Sequence, residues 1–176
     1  MKPGAHPMTV FIALLRAINV GGTGMLPMQE LAALCADLGF GRVRTYIQSG
    51  NVVFESSLSE DGVLARLEQA LAGKMGKRID VVVRTARELR SVLEANPFPD
   101  APPAKVAVVF RSAPVPKGLL GTLLIPGREE VRAGRRELYI HYPDGMGRSR
   151  LKLPPSMGAA TVRNINTVAR LVEMAA

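Results

Sequence analysis

The chain has 176 residues, 47% of them hydrophobic, which suits one ordinary domain or two small ones and excludes a wholly disordered protein. No apolar run approaches the roughly 18 residues that cross a bilayer, and residues 1–7 lack the apolar core of a secretory signal, so a cytoplasmic protein is expected. The net charge of +8 is uneven, residues 97–176 holding 12 basic and 6 acidic side chains against 11 and 9 in residues 1–96; this suits a polyanionic or phosphorylated partner, and also follows from arginine-rich coding.

Residues 1–8 read as a disordered extension. "TVFIALL", residues 9–15, shows no alternation and so reads as a strand buried on both faces. It runs into "RAINVGGTG", where the glycines permit positive φ and can present backbone N–H groups to an anion beside Arg16 or Asn19. The bland alternative is a turn whose Asn19 satisfies loop backbone. No Gly-Lys-Ser/Thr follows, so this is not a Walker loop.

Pro27 opens a helix with Leu31, Leu34, Cys35 and Leu38 at helical spacing, and Gly39 stands where a left-handed C-cap is wanted. Val43, Thr45 and Ile47 alternate as a half-exposed strand. Ser49-Gly50 reads as a two-residue turn into "NVVFE", making residues 43–55 a β-hairpin. Ser59 caps a second helix, residues 78–84 form another strand, and Thr85 with Glu88 makes a capping box for a third helix. The order β-α-β-β-α-β predicts an α+β protein with a ferredoxin-like first subdomain over residues 9–96, its first and third strands central and the alternating strand at an edge.

"NPFPDAPP" cannot be helix or central strand, and residues 97–104 read as a Pro-rich linker. Residues 105–176 then predict a smaller β-α-β-β-α subdomain: a buried strand over 105–110, a helix over 117–124, short strands near 130–132 and 137–142, and a last helix from Thr161.

Candidate site residues cluster at the ends of these elements. In "YIQSGNVVF", Gln48, Ser49 and Asn51 crowd the hairpin, where amides commonly serve their own turn. In "YIHYPDGMGRSRLK", the PDG turn does not require Gly147, Arg148 and Ser149, which could form an anion cradle with Arg150 and Lys152 beside it. His141 is the one histidine in the body of the chain and the candidate acid–base group, with Asp144 to orient it. On a helical wheel of "TVRNINTVARL", Arg163 falls on a polar stripe and Asn164 on the apolar flank, where it must bond buried backbone or face a cleft. With Gly21 and Gly22 of the first loop, these residues would line an arginine-rich cleft between the two subdomains that binds a small phosphorylated or carboxylated ligand. The alternatives are nucleic-acid binding through the basic second half, led by Arg128, Arg132, Arg135, Arg136, Arg148, Arg150 and Lys152, and a non-enzymatic interaction protein. One cysteine and two histidines exclude a Cys/His metal cluster, and no cofactor is expected.

The motifs "LRAINVGG", "YIQSGNVVF", "YIHYPDGMGRSRL" and "TVRNINT", in that order, resemble the bacterial DUF1697 family. The resemblance implies an α+β fold of two subdomains and carries no activity, substrate or catalytic residue. Against the family pattern, Ala17 stands for a glycine, Thr23 for a frequent lysine and Ile165 for a tryptophan, and the segment before the last helix is shortened at "KLPPS".

Overall fold

A computed structural model of the protein describes residues 7–19 and 25–176. Residues 1–6 of the expected N-terminal extension, and Gly21, Gly22 and Thr23 of the first loop, lie outside the described residues. The fold is α+β with two antiparallel four-stranded sheets, and the chain divides into two compact units, residues 1–89 with 171–176 and residues 90–170.

The first unit contains β1 (Thr9–Leu15), α1 (Met28–Asp37), β2 (Gly41–Tyr46), β3 (Asn51–Ser56), α2 (Glu60–Met75) and β4 (Val81–Thr85), in sheet order β2-β3-β1-β4. The apolar runs of β1 and β3 take the central places, and β2, with its charged alternate positions, takes an edge. Residues 11–15 of β1 are all buried, which is why the strand carries no alternation. On one face Phe11, Ala13 and Leu15 join Val52, Phe54 and Val83 against Leu31 and Cys35 of α1 and Val63, Leu67 and Leu71 of α2. Phe40 stacks on Phe54 at 4.4 Å between ring centroids with the rings 8° from parallel, a close aromatic contact inside the core.

Local signals set the boundaries. The Ser59 hydroxyl accepts from Gly62 N–H at 3.1 Å, and Gly76 closes α2 at φ +71. Thr85 and Glu88 form the reciprocal capping box at 3.0 and 3.1 Å that starts α3 (Ala86–Glu94). The β2–β3 connection departs from expectation. Tyr46 pairs with Asn51, so the loop is the four residues 47–50, with Ile47 at φ +46 and Gly50 at φ +85. A two-residue turn would have left Ile47 in the strand.

The second unit contains β5 (Val106–Phe110), α4 (Leu119–Thr122), β6 (Glu130–Ala133), β7 (Glu137–His141) and β8 (Thr161–Asn164), followed by α5 (Ile165–Met174), in sheet order β6-β7-β5-β8. Ala107, Val109, Leu138 and Ile140 point to a core that also holds Leu119, Val131, Tyr142 and Met157. Two expectations are corrected. The helix over 117–124 shrinks to the single turn α4, because Gly118 enters it at φ +76 and Gly121 adds no helical preference. The segment assigned to the start of the last helix is a fourth strand: Thr161 to Asn164 pair with Phe110 to Ala107 of β5, and the helix begins at Ile165.

Candidate functional site

The first-unit candidates are stitched to one another and to backbone. The Asn19 side chain accepts from Leu26 N–H at 2.6 Å and donates to Leu26 C=O at 2.8 Å and Gln48 C=O at 2.8 Å. It sits at φ +56, a left-handed position that asparagine tolerates. This amide therefore joins residue 19 to residue 26 and ties both to the hairpin. Buried Asn51 donates to Tyr46 C=O at 2.9 Å and to the Ser49 hydroxyl at 3.0 Å, holding the four-residue loop from inside. Arg16 donates its backbone N–H to Asp80 C=O at 2.9 Å, and its guanidinium lies 3.6 Å from the Asp80 carboxylate. Gln48 enters through its carbonyl. These residues converge, but their polar groups are largely spent on the turn.

In the second unit the loops around β6 and β7 enclose a hollow of about 290 Å³ lined by Pro126, Gly127, Glu129, Tyr142, Pro143, Asp144, Gly145, Arg148, Ser149 and Arg150. The PDG turn builds one wall. Tyr142 N–H donates to Lys105 C=O at 2.8 Å, Gly145 N–H to Tyr142 C=O at 2.9 Å, and Gly145 at φ +88 leads into a 3-10 turn over Met146–Arg148. That turn presents Arg148 and Ser149. The β6–β7 register brings Glu130 opposite His141, which sets the neighbouring Glu129 against Tyr142. The Ser149 hydroxyl donates to Glu129 Oε1 at 2.7 Å, and Gly127 N–H donates to Oε2 at 3.0 Å.

Both carboxylates are held ionised. The Ser149 hydrogen bond, helped by backbone N–H groups, keeps Glu129 below the usual carboxylate range. Asp144 is lowered first by its hydrogen bond to Arg128, then by the charges of Arg128, Lys105 and Arg148. Arg128 grips it through two nitrogens, Nε at 3.3 Å and the other forming the short contact. Burial, with the Glu129 charge second, raises the Tyr142 hydroxyl. Against these engaged groups, the guanidinium groups of Arg148 and Arg150 have no hydrogen-bond or ion-pair partner among the described residues.

The predicted catalytic pair is not formed. His141 Nδ1 lies 3.7 Å from Glu130, and its ring rests 5.5 Å from that of Phe98, while Asp144 is turned to Arg128. The His141 side chain points with Glu130 across the β-ladder, so it takes its carboxylate from the neighbouring strand. Arg163 and Asn164 are also not on the hollow. Strand β8 alternates with period two, so Arg163 is buried, 8% exposed, and Val162 is outside at 40%, the reverse of the helical wheel. Arg163 donates to the Thr161 hydroxyl at 2.7 Å and to Val162 C=O at 2.9 Å, and burial pulls its pKa down to about 10. The Asn164 side chain accepts from Thr167 N–H at 2.9 Å, capping α5. Of the residues singled out from sequence, the hollow gathers Asp144, Arg148, Ser149 and Arg150, with Gly147 in the adjoining turn. Sequence reading missed Glu129 and Tyr142, which the register of the β6–β7 hairpin would have supplied.

Ser149 is the hydroxyl nearest to a base, yet it also accepts from Leu151 N–H at 3.1 Å, and a carboxylate held below its ordinary range is a weak proton acceptor.

The model of a family of proteins of unknown function, DUF1697, matches residues 8–139. The chain belongs to DUF1697. Its match stops at the start of the "YIHYPDGMGRSRL" stretch, so the turn that builds the hollow lies beyond it. Among solved structures, the chain is similar to a conserved bacterial protein, SP0830 from Streptococcus pneumoniae, at 23% identity and a TM-score of 0.82, covering 97% of this chain and 100% of that one. That likeness shows the shared fold. A comparison with curated proteins finds no match. Among the described residues no helix is long and apolar enough to cross a membrane.

Proposed function

We propose that the second unit binds a small phosphorylated or carboxylated molecule in this hollow, with Arg148 and Arg150 as its anion-binding groups. The observation that carries the reading is that Arg148 and Arg150 line the hollow and their guanidinium groups have no hydrogen-bond or ion-pair partner among the described residues, while Arg128 is committed to Asp144. An unpaired guanidinium offers a planar fork of donors matched to phosphate and carboxylate oxygens. The Ser149–Glu129 and Arg128–Asp144 bonds support it by fixing the loops before any ligand arrives, which lowers the ordering cost of binding. In this reading the protein works in the cytoplasm and binds without covalent chemistry of its own.

Nucleic-acid binding is the weaker alternative. Arg128 is bound to Asp144, Arg132 lies 5.8 Å over the Phe98 ring and 3.4 Å from Glu130, and Arg136 donates to Ser112 C=O at 3.2 Å. These contacts draw the basic half onto itself.

Thermal-shift titration with inorganic phosphate, acetyl phosphate and small dicarboxylates tests the proposal, since a ligand selective for the native state raises Tm. The expected outcome is a saturable rise that Arg148→Ala and Arg150→Ala each reduce. A flat response to every anion overturns it.

A further inference from the structure

We infer that the hollow of the second unit is built for a zwitterion: a small molecule with an ammonium beside its phosphate or carboxylate, Glu129 receiving the ammonium and Arg148 with Arg150 the acid group. This rests on the anion reading of the same hollow and narrows it.

The argument is one of charges left over. Asp144 and Arg128 cancel each other. Glu129 differs, because its partners are neutral, the Ser149 hydroxyl and the Gly127 N–H, and no described cation lies within ion-pair distance of it. A carboxylate has about four lone-pair sites, and with its own backbone N–H also bonded to it Glu129 keeps about one for a ligand. The hollow therefore holds one carboxylate with no cation at ion-pair distance and two guanidinium groups with no carboxylate at ion-pair distance among the described residues, Arg148 acting on Asp144 only through its charge.

A simple dianion would satisfy the arginines and meet repulsion from Glu129. A polyol without charge would bond Glu129 and leave the guanidinium groups unmatched. A molecule with both signs meets both demands, and opposite charges at contact distance attract more strongly in a recess than in open water. The buried ring of Tyr142 on the wall keeps solvent from part of that space. At about 290 Å³ the hollow suits a molecule of amino-acid size, at the low end of small-ligand sites.

The test is isothermal titration of the full chain with three probes of nearly equal size: O-phosphoethanolamine, ethylene glycol monophosphate and ethyl phosphate. They differ in ending on an ammonium, a hydroxyl or a methyl group. O-Phosphoethanolamine is expected to bind about tenfold tighter than ethyl phosphate, the gain of roughly one charge-assisted hydrogen bond. Glu129→Gln should erase that advantage and leave ethyl phosphate bound as well or better, which also shows that the variant is folded. If the three probes bind alike, or the hydroxyl probe binds tightest, the zwitterion inference is overturned and the anion site stands. If none of them binds, the anion reading itself fails and takes this inference with it.

Discussion

Replacing Gly50 by alanine separates two costs that the hairpin loop keeps together. Gly50 sits at φ +85, and a Cβ there would lie 2.7 Å from Ile18 Cδ1 and 2.9 Å from Leu15 Cβ. The left-handed backbone costs alanine about 1–2 kcal/mol. The Ile18 methyl can rotate away, but Leu15 belongs to the buried central strand, with its N–H on Gly50 C=O at 2.9 Å. Forcing atoms into such packing costs about 1–3 kcal/mol more, and loss of unfolded-state freedom returns about 0.4–1 kcal/mol. The net expectation is destabilisation by about 2–4 kcal/mol. Gly76 is the control, at φ +71 with nothing within 4 Å of its would-be Cβ, so Gly76→Ala carries only the left-handed term less the returned freedom and should cost about 1 kcal/mol. Urea unfolding followed by far-ultraviolet circular dichroism suits a chain without tryptophan. Hydrogen exchange at β1 and β3 amides assigns the loss to the first unit, which matters because two units need not unfold together. Equal midpoint shifts for the two variants, at unchanged slope, would refute the close approach of the loop to β1.

Asn164→Ala should cost about 1 kcal/mol by removing the cap of α5, with Asn164→Asp retaining most of it, as measured by urea midpoint. Tyr139 donates its hydroxyl to Val92 C=O at 2.6 Å in a buried setting, so Tyr139→Phe should lose about 1–3 kcal/mol by stranding that carbonyl; a shift below about 0.5 kcal/mol would contradict the bond. Cys35 is buried, and burial pushes its thiol from the ordinary 9.0 up to about 12. Between pH 9 and about 12 the unfolded chain therefore releases a proton that the native chain keeps, so this thiol contributes a loss of stability as pH rises through the window. Cys35→Ala should flatten that part of the pH profile, and a thiol reagent at pH 8 should label Cys35 only on unfolding.

The layout of the first unit was legible because its signals are local. The unbroken apolar run of residues 9–15 could only be a central strand, and Ser59, Gly39 and the Thr85–Glu88 box marked helix ends by chemistry confined to one turn. The β2–β3 loop was misjudged because Ile47 adopts a left-handed φ that a β-branched residue rarely takes, and nothing nearby in sequence announces it. "TVRN" deceived for a different reason. A buried arginine between an exposed valine and a capping asparagine inverts the usual pattern, and the pairing with β5 that buries it lies more than 50 residues away in sequence.

For the site, the turn residues Asp144, Arg148 and Ser149 were readable from side chains that the PDG turn does not need. Glu129 was not, since its place depends on a strand register. Asn19 and Asn51 could be read from sequence as turn amides or as ligand groups, because an amide that closes a loop and an amide that binds a ligand are the same residue. Their partners, Leu26 C=O and Tyr46 C=O, tell them apart.

The most direct test of the account follows the arginine side chains themselves, by the Nε–Hε signals of 15N-labelled protein during titration with inorganic phosphate. The account predicts that the signals of Arg148 and Arg150, assigned by Arg148→Lys and Arg150→Lys, shift and slow their exchange with water as phosphate binds, while Arg128, held by Asp144, stays in place. If Arg148 and Arg150 do not respond at saturating phosphate, or respond no more than the other exposed arginines, the hollow is not the anion site.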